Sequence, residues 1–180
     1  DGDEGAFAAL WRDVNPALIR YLILAGEPAD DVASEVWTTV VKGLRRFQGD
    51  ETAWRAWVFT TARRRAVDVG RRRSRQLNRE KTWRARTAMD DAVVDPADLA
   101  VQRLDTDAAL ALVARLSPGQ AEVIALRVIA GLSVEEVARI LGRSPGSVRV
   151  THHRALQKLR QLLAGPGVTD PEADALYRTT

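Results

Sequence analysis

Residues 133–154, SVEEVARILGRSPGSVRVTHHR, carry the densest local signals in the chain, and their reading decides the fold. Ser133, followed three residues later by Glu136, forms a capping box that starts a helix by satisfying orphan N–H groups at its N-terminus. Val134, Val137, Ala138 and Leu141 then share one helical face, and Gly142 stops the helix about two turns on. Ser144-Pro145 starts another, because proline at the first helical position lacks an N–H that would be unpaired anyway. Its apolar stripe is Val148, His152, Ala155, Leu156, Leu159 and Leu162 or Leu163. A short helix, a glycine-containing turn and a longer capped helix is the spacing of a helix-turn-helix.

In that motif the second helix lies in the DNA major groove and presents its N-terminal side chains to base edges and phosphates. The outward positions here are Ser147, Arg149, Val150, Thr151, His153, Arg154 and Lys158, with Arg143 in the turn. Arginine grips guanine bidentately, Ser and Thr serve base or phosphate, and valine can meet a thymine methyl. The plainer reading is a helical hairpin with a solvated polar face; two capping boxes at the right spacing weigh against it. A metal role for His152-His153 is disfavoured, since adjacent helical residues point about 100° apart. His152 is expected at the core edge and His153 outside.

Working outward, Ser117-Pro118-Gly119-Gln120 is the other capping box, and its helix runs through Val123, Ile124, Leu126 and Arg127 toward Gly131. Asp107 to Leu116 reads as a short helix before it, so residues 105–163 make one helical domain. Residues 76–104 hold little sustained periodicity and read as a linker, helical at most in pieces around Trp83. Residues 164–180, with Pro166, Gly167 and Pro171, read as a flexible tail.

Toward the N-terminus, Phe7, Leu10, Trp11, Val14, Leu18 and Leu22 recur at steps of three and four, interrupted by Pro16. Gly26-Glu27-Pro28 breaks the chain, and Asp30 and Asp31 open a second helix striped by Val32, Val36, Trp37, Val40, Leu44 and Phe47. Gln48-Gly49-Asp50 ends it. Thr52 can cap a third helix, which carries Trp54, Trp57, Val58, Thr61 and Ala62 before turning arginine-rich. Residues 5–75 thus form a first domain, and the fold class is all-α: two small helical domains joined by a flexible linker.

Of 180 residues, 46% are hydrophobic, and 27 Lys and Arg face 24 Asp and Glu, a net charge of only +3. Resolved along the chain, residues 42–86 hold 15 basic against 4 acidic side chains, while residues 1–41 hold 2 against 8. Residues 87–124 hold 2 against 7, and residues 125–180 hold 8 against 5. Such alternation points to polyanion-binding faces set between surfaces for other partners. Tryptophans and Phe59 beside Arg63-Arg64-Arg65 and Arg71-Arg72-Arg73 suit single-stranded or melting DNA, where bases stack on rings and cations follow phosphates. At least one of Trp54 and Trp57 is expected in the core instead.

The absence of cysteine excludes disulfides, thiolate zinc sites and a cysteine nucleophile, and suits a reducing cytoplasm. Two histidines cannot make a three-histidine metal site, and no apolar run reaches the roughly 20 residues of a membrane span. No catalytic residue, metal or cofactor is expected, and no membrane insertion. The chain opens on Asp1 rather than Met, from which a longer native N-terminus is expected.

Taken together, these segments resemble an extracytoplasmic-function sigma factor, the two-domain class of the bacterial sigma-70 superfamily. Ala29-Asp30-Asp31-Val32-Ala33-Ser34-Glu35-Val36-Trp37 is similar to the family segment that docks on core RNA polymerase. Trp54-Arg55-Ala56-Trp57-Val58-Phe59-Thr60-Thr61-Ala62-Arg63, with Asp68 and Arg71-Arg72-Arg73, resembles its promoter-melting, minus-ten-reading helix. Leu116-Ser117-Pro118, Gly131-Leu132-Ser133, Glu136-Val137-Ala138 and Gly146-Ser147-Val148-Arg149 resemble its minus-thirty-five domain.

The resemblance implies that Asp30, Asp31, Val32, Glu35, Val36 and Trp37 meet the β and β′ subunits of core polymerase. It implies a minus-ten, single-stranded DNA surface made of Phe47, Gly49, Asp50, Thr52, Trp54, Trp57, Arg63, Arg64, Arg65, Arg71 and Arg72. The Phe47–Thr52 loop would capture a flipped base. Upstream duplex DNA would meet Arg143, Ser147, Arg149, Val150, Thr151, His153, Arg154 and Lys158. Arg64 stands where an asparagine is common, and Val150-Thr151 where a serine and a basic residue are usual, so the promoter sequence does not transfer from relatives. An anti-sigma partner is compatible with the resemblance.

Two other readings compete. A helix-turn-helix regulator with a helical N-terminal domain has no need of the acidic Asp30–Trp37 helix followed by a basic, aromatic one. A metal-dependent nuclease using Asp90, Asp91, Asp95 and Asp98 lacks a rigid element to hold those acids.

Overall fold

The computed structural model describes residues 4–84 and 104–164, with side chains described over 4–75 and 108–164; the acidic stretch of the linker and the tail lie outside these residues. Every described element is helical. Helix α1 (Glu4–Leu24) passes through Pro16 unbroken, where the sequence implied an interruption. Its buried Val14, Ala17, Leu18, Tyr21 and Leu22 flank the proline, and at about 1.5–3 kcal/mol for each large side chain they outweigh one missing backbone bond. Helix α2 (Ala29–Gly43) buries Val32, Ala33, Val36, Trp37 and Val40, and gives way to a 3₁₀ turn over Leu44–Arg46 before the expected stop.

Helix α3 (Glu51–Arg84) is capped by Asp50, whose Oδ1 accepts from the Ala53 N–H at 2.9 Å. The cap is therefore two residues upstream of Thr52, in keeping with the stronger capping tendency of aspartate. α3 also continues nine residues past Arg75, into the stretch read as linker. That continuation, residues 76–84, lacks an apolar stripe but keeps good helix formers in a helix already nucleated.

Helix α4 (Leu104–Ala114) begins three residues before Asp107. Helix α5 (Pro118–Ile124) starts where the Gln120 side chain accepts from the Ser117 N–H and hydroxyl at 3.3 and 3.1 Å. It runs into a π turn over Ala125–Ile129 that nothing in the periodicity announced. Helix α6 (Val134–Leu141) has its capping box formed: Glu136 accepts from the Ser133 N–H at 2.6 Å, and Ser133 Oγ accepts from the Glu136 N–H at 3.2 Å. Gly142 ends it in the left-handed region, φ 63°. Helix α7 (Pro145–Ala164) follows, its inner face fixed by Val148 and Ala155. Leu163 is exposed and Leu162 half-buried, so the stripe resolves onto Leu162.

The two groups of helices are not held apart. One apolar core joins Val14, Leu18 and Leu22 of α1 and Val58 and Phe59 of α3 to Val123, Leu126, Ala130, Leu132 and Val137 of the second domain. A smaller cluster around Val113, Leu116, Ile124 and Ala155 is closed from the first domain by Leu24.

Candidate nucleic-acid interface

The helix-turn-helix stands on the capped start of α6, the left-handed Gly142 and the buried Val148 of α7. That anchoring leaves Ser147, Arg149, Val150, His153, Arg154 and Lys158 exposed and Thr151 half-buried. Arg149 Nη2 donates to Glu135 Oε1 at 2.9 Å, linking α7 to the first turn of α6. Glu135 is a polar neighbour of the site that the sequence reading did not single out; the signal was an acid one place before the capping glutamate. Arg143 lies apart from the row, its guanidinium near Gly119 at the start of α5. His152 sits half-buried, with Nε2 unpartnered among the described residues. Burial lowers its pKa from 6.5, and the Arg127 and His153 charges push the same way.

The minus-ten candidates divide more sharply. Trp54 is 2% exposed and locked among Trp37, Phe47 and Trp57, so it is a core residue and its ring is not offered to a base. The expectation that one tryptophan belongs to the core falls on Trp54. Trp57 is half-buried and stacks on Phe47, with centroids 5.2 Å apart and planes within 10°. A Cβ at Gly43 would come within 2.8 Å of the Trp57 ring, so the glycine admits the indole. In the loop, Gly49 has φ 151° and its hydrogen faces Ala53, where a Cβ would approach to 2.6 Å. Gly49, Asp50 and Thr52 are exposed.

Among the arginines, Arg64, Arg71 and Arg72 are exposed. Arg65 turns toward α2, donating to Glu35 at 3.4 Å and Thr39 Oγ1 at 3.1 Å. Arg63 donates its Nε–H to Glu122 Oε1 at 2.9 Å, across the seam between the domains. Tyr21 lies at that seam too. Burial raises its hydroxyl pKa well above 10, Glu122 adds to the rise, and Arg63 opposes it. Two clefts show what faces α3: Ala56, Thr60, Arg63 and Arg64 line one with Glu136, Arg139 and Ile140. Trp57, Thr60 and Asp50 line the other, again with Glu136 and Arg139. Helix α6 thus stands over the aromatic and basic side of α3, a juxtaposition that sequence could not foretell.

On α2, Asp30, Asp31 and Glu35 are exposed, whereas Val32 and Val36 are fully buried and Trp37 is 9% exposed. Trp37 also donates Nε1–H to Asn15 Oδ1 at 2.8 Å. Of the six docking candidates, the acidic three can be touched by a partner; the apolar three hold α2 to the core. No group of His, Asp and Glu with metal-binding geometry occurs among the described residues, and none of their helices is long and apolar enough to cross a membrane.

Comparisons with known proteins follow the same division. Residues 16–76 match the sigma-70 region 2 family, and residues 106–159 match sigma-70 region 4. The chain is 33% identical over 171 residues to the ECF RNA polymerase sigma factor ShbA of Streptomyces griseus, covering 90% of each sequence. It is 29% identical over 175 residues to SigD of Mycobacterium tuberculosis, covering 92% of this chain and 81% of that one. Among solved structures, the Bartonella quintana sigma factor RpoE, in complex with the anti-sigma factor NepR, shares the fold (TM-score 0.67, 24% identity, 89% and 98% covered). CnrH, in complex with the cytosolic domain of CnrY, is similar at TM-score 0.60 and 26% identity, with 91% and 90% covered. Two domains matching in order, on a fold that presents a helix-turn-helix and an arginine-rich helix, place the chain in one family: it belongs to the extracytoplasmic-function RNA polymerase sigma factors.

Proposed function

We propose that this sigma factor works through three surfaces of unlike charge. The exposed acids of α2, Asp30, Asp31 and Glu35, dock on core polymerase at its β and β′ subunits. Arg64, Arg71 and Arg72 of α3, with the Phe47–Thr52 loop, take the minus-ten strand, and the outer face of α7 reads the upstream duplex. The protein performs no bond chemistry; flipped bases and phosphate contacts offset an unstacking cost of a few kcal/mol per step. It acts in the cytoplasm, where core polymerase and promoter are, and an anti-sigma partner fits the complexes reported for its structural relatives.

The observation that carries this reading is α7 itself. Val148 and Ala155 pin one face while Ser147, Arg149, Val150, His153 and Arg154 are exposed on the other. Because Arg63 is held by Glu122 and α6 stands over α3, engagement of the minus-ten strand requires the second domain to move off the first. The test is run-off transcription with core RNA polymerase and a genomic promoter library. Defined start sites that depend on the protein are expected. Active core that initiates nowhere would favour the helix-turn-helix regulator.

A further inference from the structure

The two adjacent acids at the start of α6 have different partners. Glu136 is 4% exposed and its carboxylate closes the capping box on the Ser133 N–H. Glu135 takes no part in the cap. Its carboxylate projects to solvent and accepts from Arg149 Nη2 at 2.9 Å, with side chains 60% and 61% exposed. An ion pair so open to water adds little to stability. Its consequence is geometric: it ties a long, rotamer-rich side chain to a rigid helix end.

We propose that Glu135 is a positioning residue for base recognition, holding the Arg149 guanidinium so that its unused N–H edge faces a guanine. The inference rests on the reading of α7 as the upstream-duplex helix. Guanidinium carries five donors in a planar fork, and the bond to Glu135 occupies one on Nη2. The remaining edge still matches the O6 and N7 acceptors of guanine, the bidentate pair that discriminates bases. Left unheld, the same side chain would sweep out and meet phosphates as readily as bases. A carboxylate on the DNA-facing side also repels phosphate, so Glu135 lowers affinity for any duplex while sharpening choice among duplexes. Arg149 and Glu135 together behave as a reader, Arg149 alone as a general cation.

The experiment uses the full chain with core RNA polymerase and a duplex library randomised over the upstream element. Base preference, total duplex affinity and thermal stability are read for the parent, Glu135→Ala, which leaves no acceptor for the guanidinium, Arg149→Ala and the double variant. Glu135→Ala should flatten the preference at one base position by about tenfold, the scale of one bidentate pair. It should bind unselected duplex more tightly than the parent, with an unchanged melting temperature. In the Arg149→Ala background the same change should leave base preference unaltered. Equal weakening on all sequences, or a preference loss that persists without Arg149, would overturn the positioning role. If Arg149→Ala alone left every base preference intact, the reading of Arg149 as a base contact would fail first, and the proposal with it; an intact preference in Glu135→Ala alone would sink only the proposal.

Discussion

The contact between Arg63 and Glu122 joins α3, the helix proposed to meet the minus-ten strand, to the domain that covers it, and Glu122→Gln isolates its effect. The Nε–Oε1 distance is 2.9 Å and the side chains are 32% and 27% exposed, so the pair is neither open nor sealed. At about 4 Å between charge centres and an effective dielectric near 20, the gross attraction is about 4 kcal/mol. Removing both groups from most of their water and fixing both side chains offsets the larger part, leaving about 1 kcal/mol net. Glutamine keeps an acceptor for the Arg63 N–H, so the substitution removes charge and little shape. A change of 1 kcal/mol shifts the closed-to-open ratio of the domains about fivefold, with Arg63 free in the open form. The assay is fluorescence anisotropy of a single-stranded non-template oligonucleotide, taken from a promoter found by run-off and titrated with full chain. Affinity should rise by up to about fivefold. Because the substitution also removes one negative charge, Glu4→Gln on the exposed start of α1 is the control. Equal gains from both variants would refute the masking argument, leaving only general attraction of a more basic protein for DNA.

Asp31→Ala combined with Glu35→Ala should weaken binding to core polymerase while the circular-dichroism melt stays near the parent's, since both side chains are exposed; unchanged affinity would count against docking through α2. Ser133→Ala removes the acceptor for the Glu136 N–H and should lower stability by about 1 kcal/mol, read from chemical denaturation. A loss below a few tenths would mean that the Glu136 carboxylate alone holds the cap. His152 has its folded pKa below the ordinary 6.5, so the unfolded chain binds more protons as pH falls beneath that value. Its stabilising contribution is present above pH 6.5 and is lost as pH falls toward the lowered folded value. His152→Leu should therefore flatten the decline in melting temperature between neutral and mildly acidic pH, and a variant with the parent's slope would contradict this assignment.

Local chemistry along the sequence determines much of this protein's architecture. Capping boxes at Ser117 and Ser133, the left-handed stop at Gly142 and the proline start at Pro145 are interactions within a few residues, so they are legible in sequence and appear in the structure. The same holds for the break at Gly26-Glu27-Pro28 and for the exposed row on α7. Errors came where neighbours along the chain could not decide. Two acceptable caps stood two residues apart, and α3 kept its helical path through a stretch with no stripe to mark it.

Tertiary structure alone decided which members of each motif remain available. In sequence Val32, Val36 and Trp37 fall in a segment that resembles a docking motif, yet they are the face by which α2 packs, and Trp54 fills the centre of an aromatic cluster. Arg63 meets an acid 59 residues away, and Arg149 one 14 residues away. Charge along the chain sets what a surface can attract. Packing between distant segments sets which charges are free to attract it, because a side chain buried in a core, or paired across the seam as Arg63 is, must first be released.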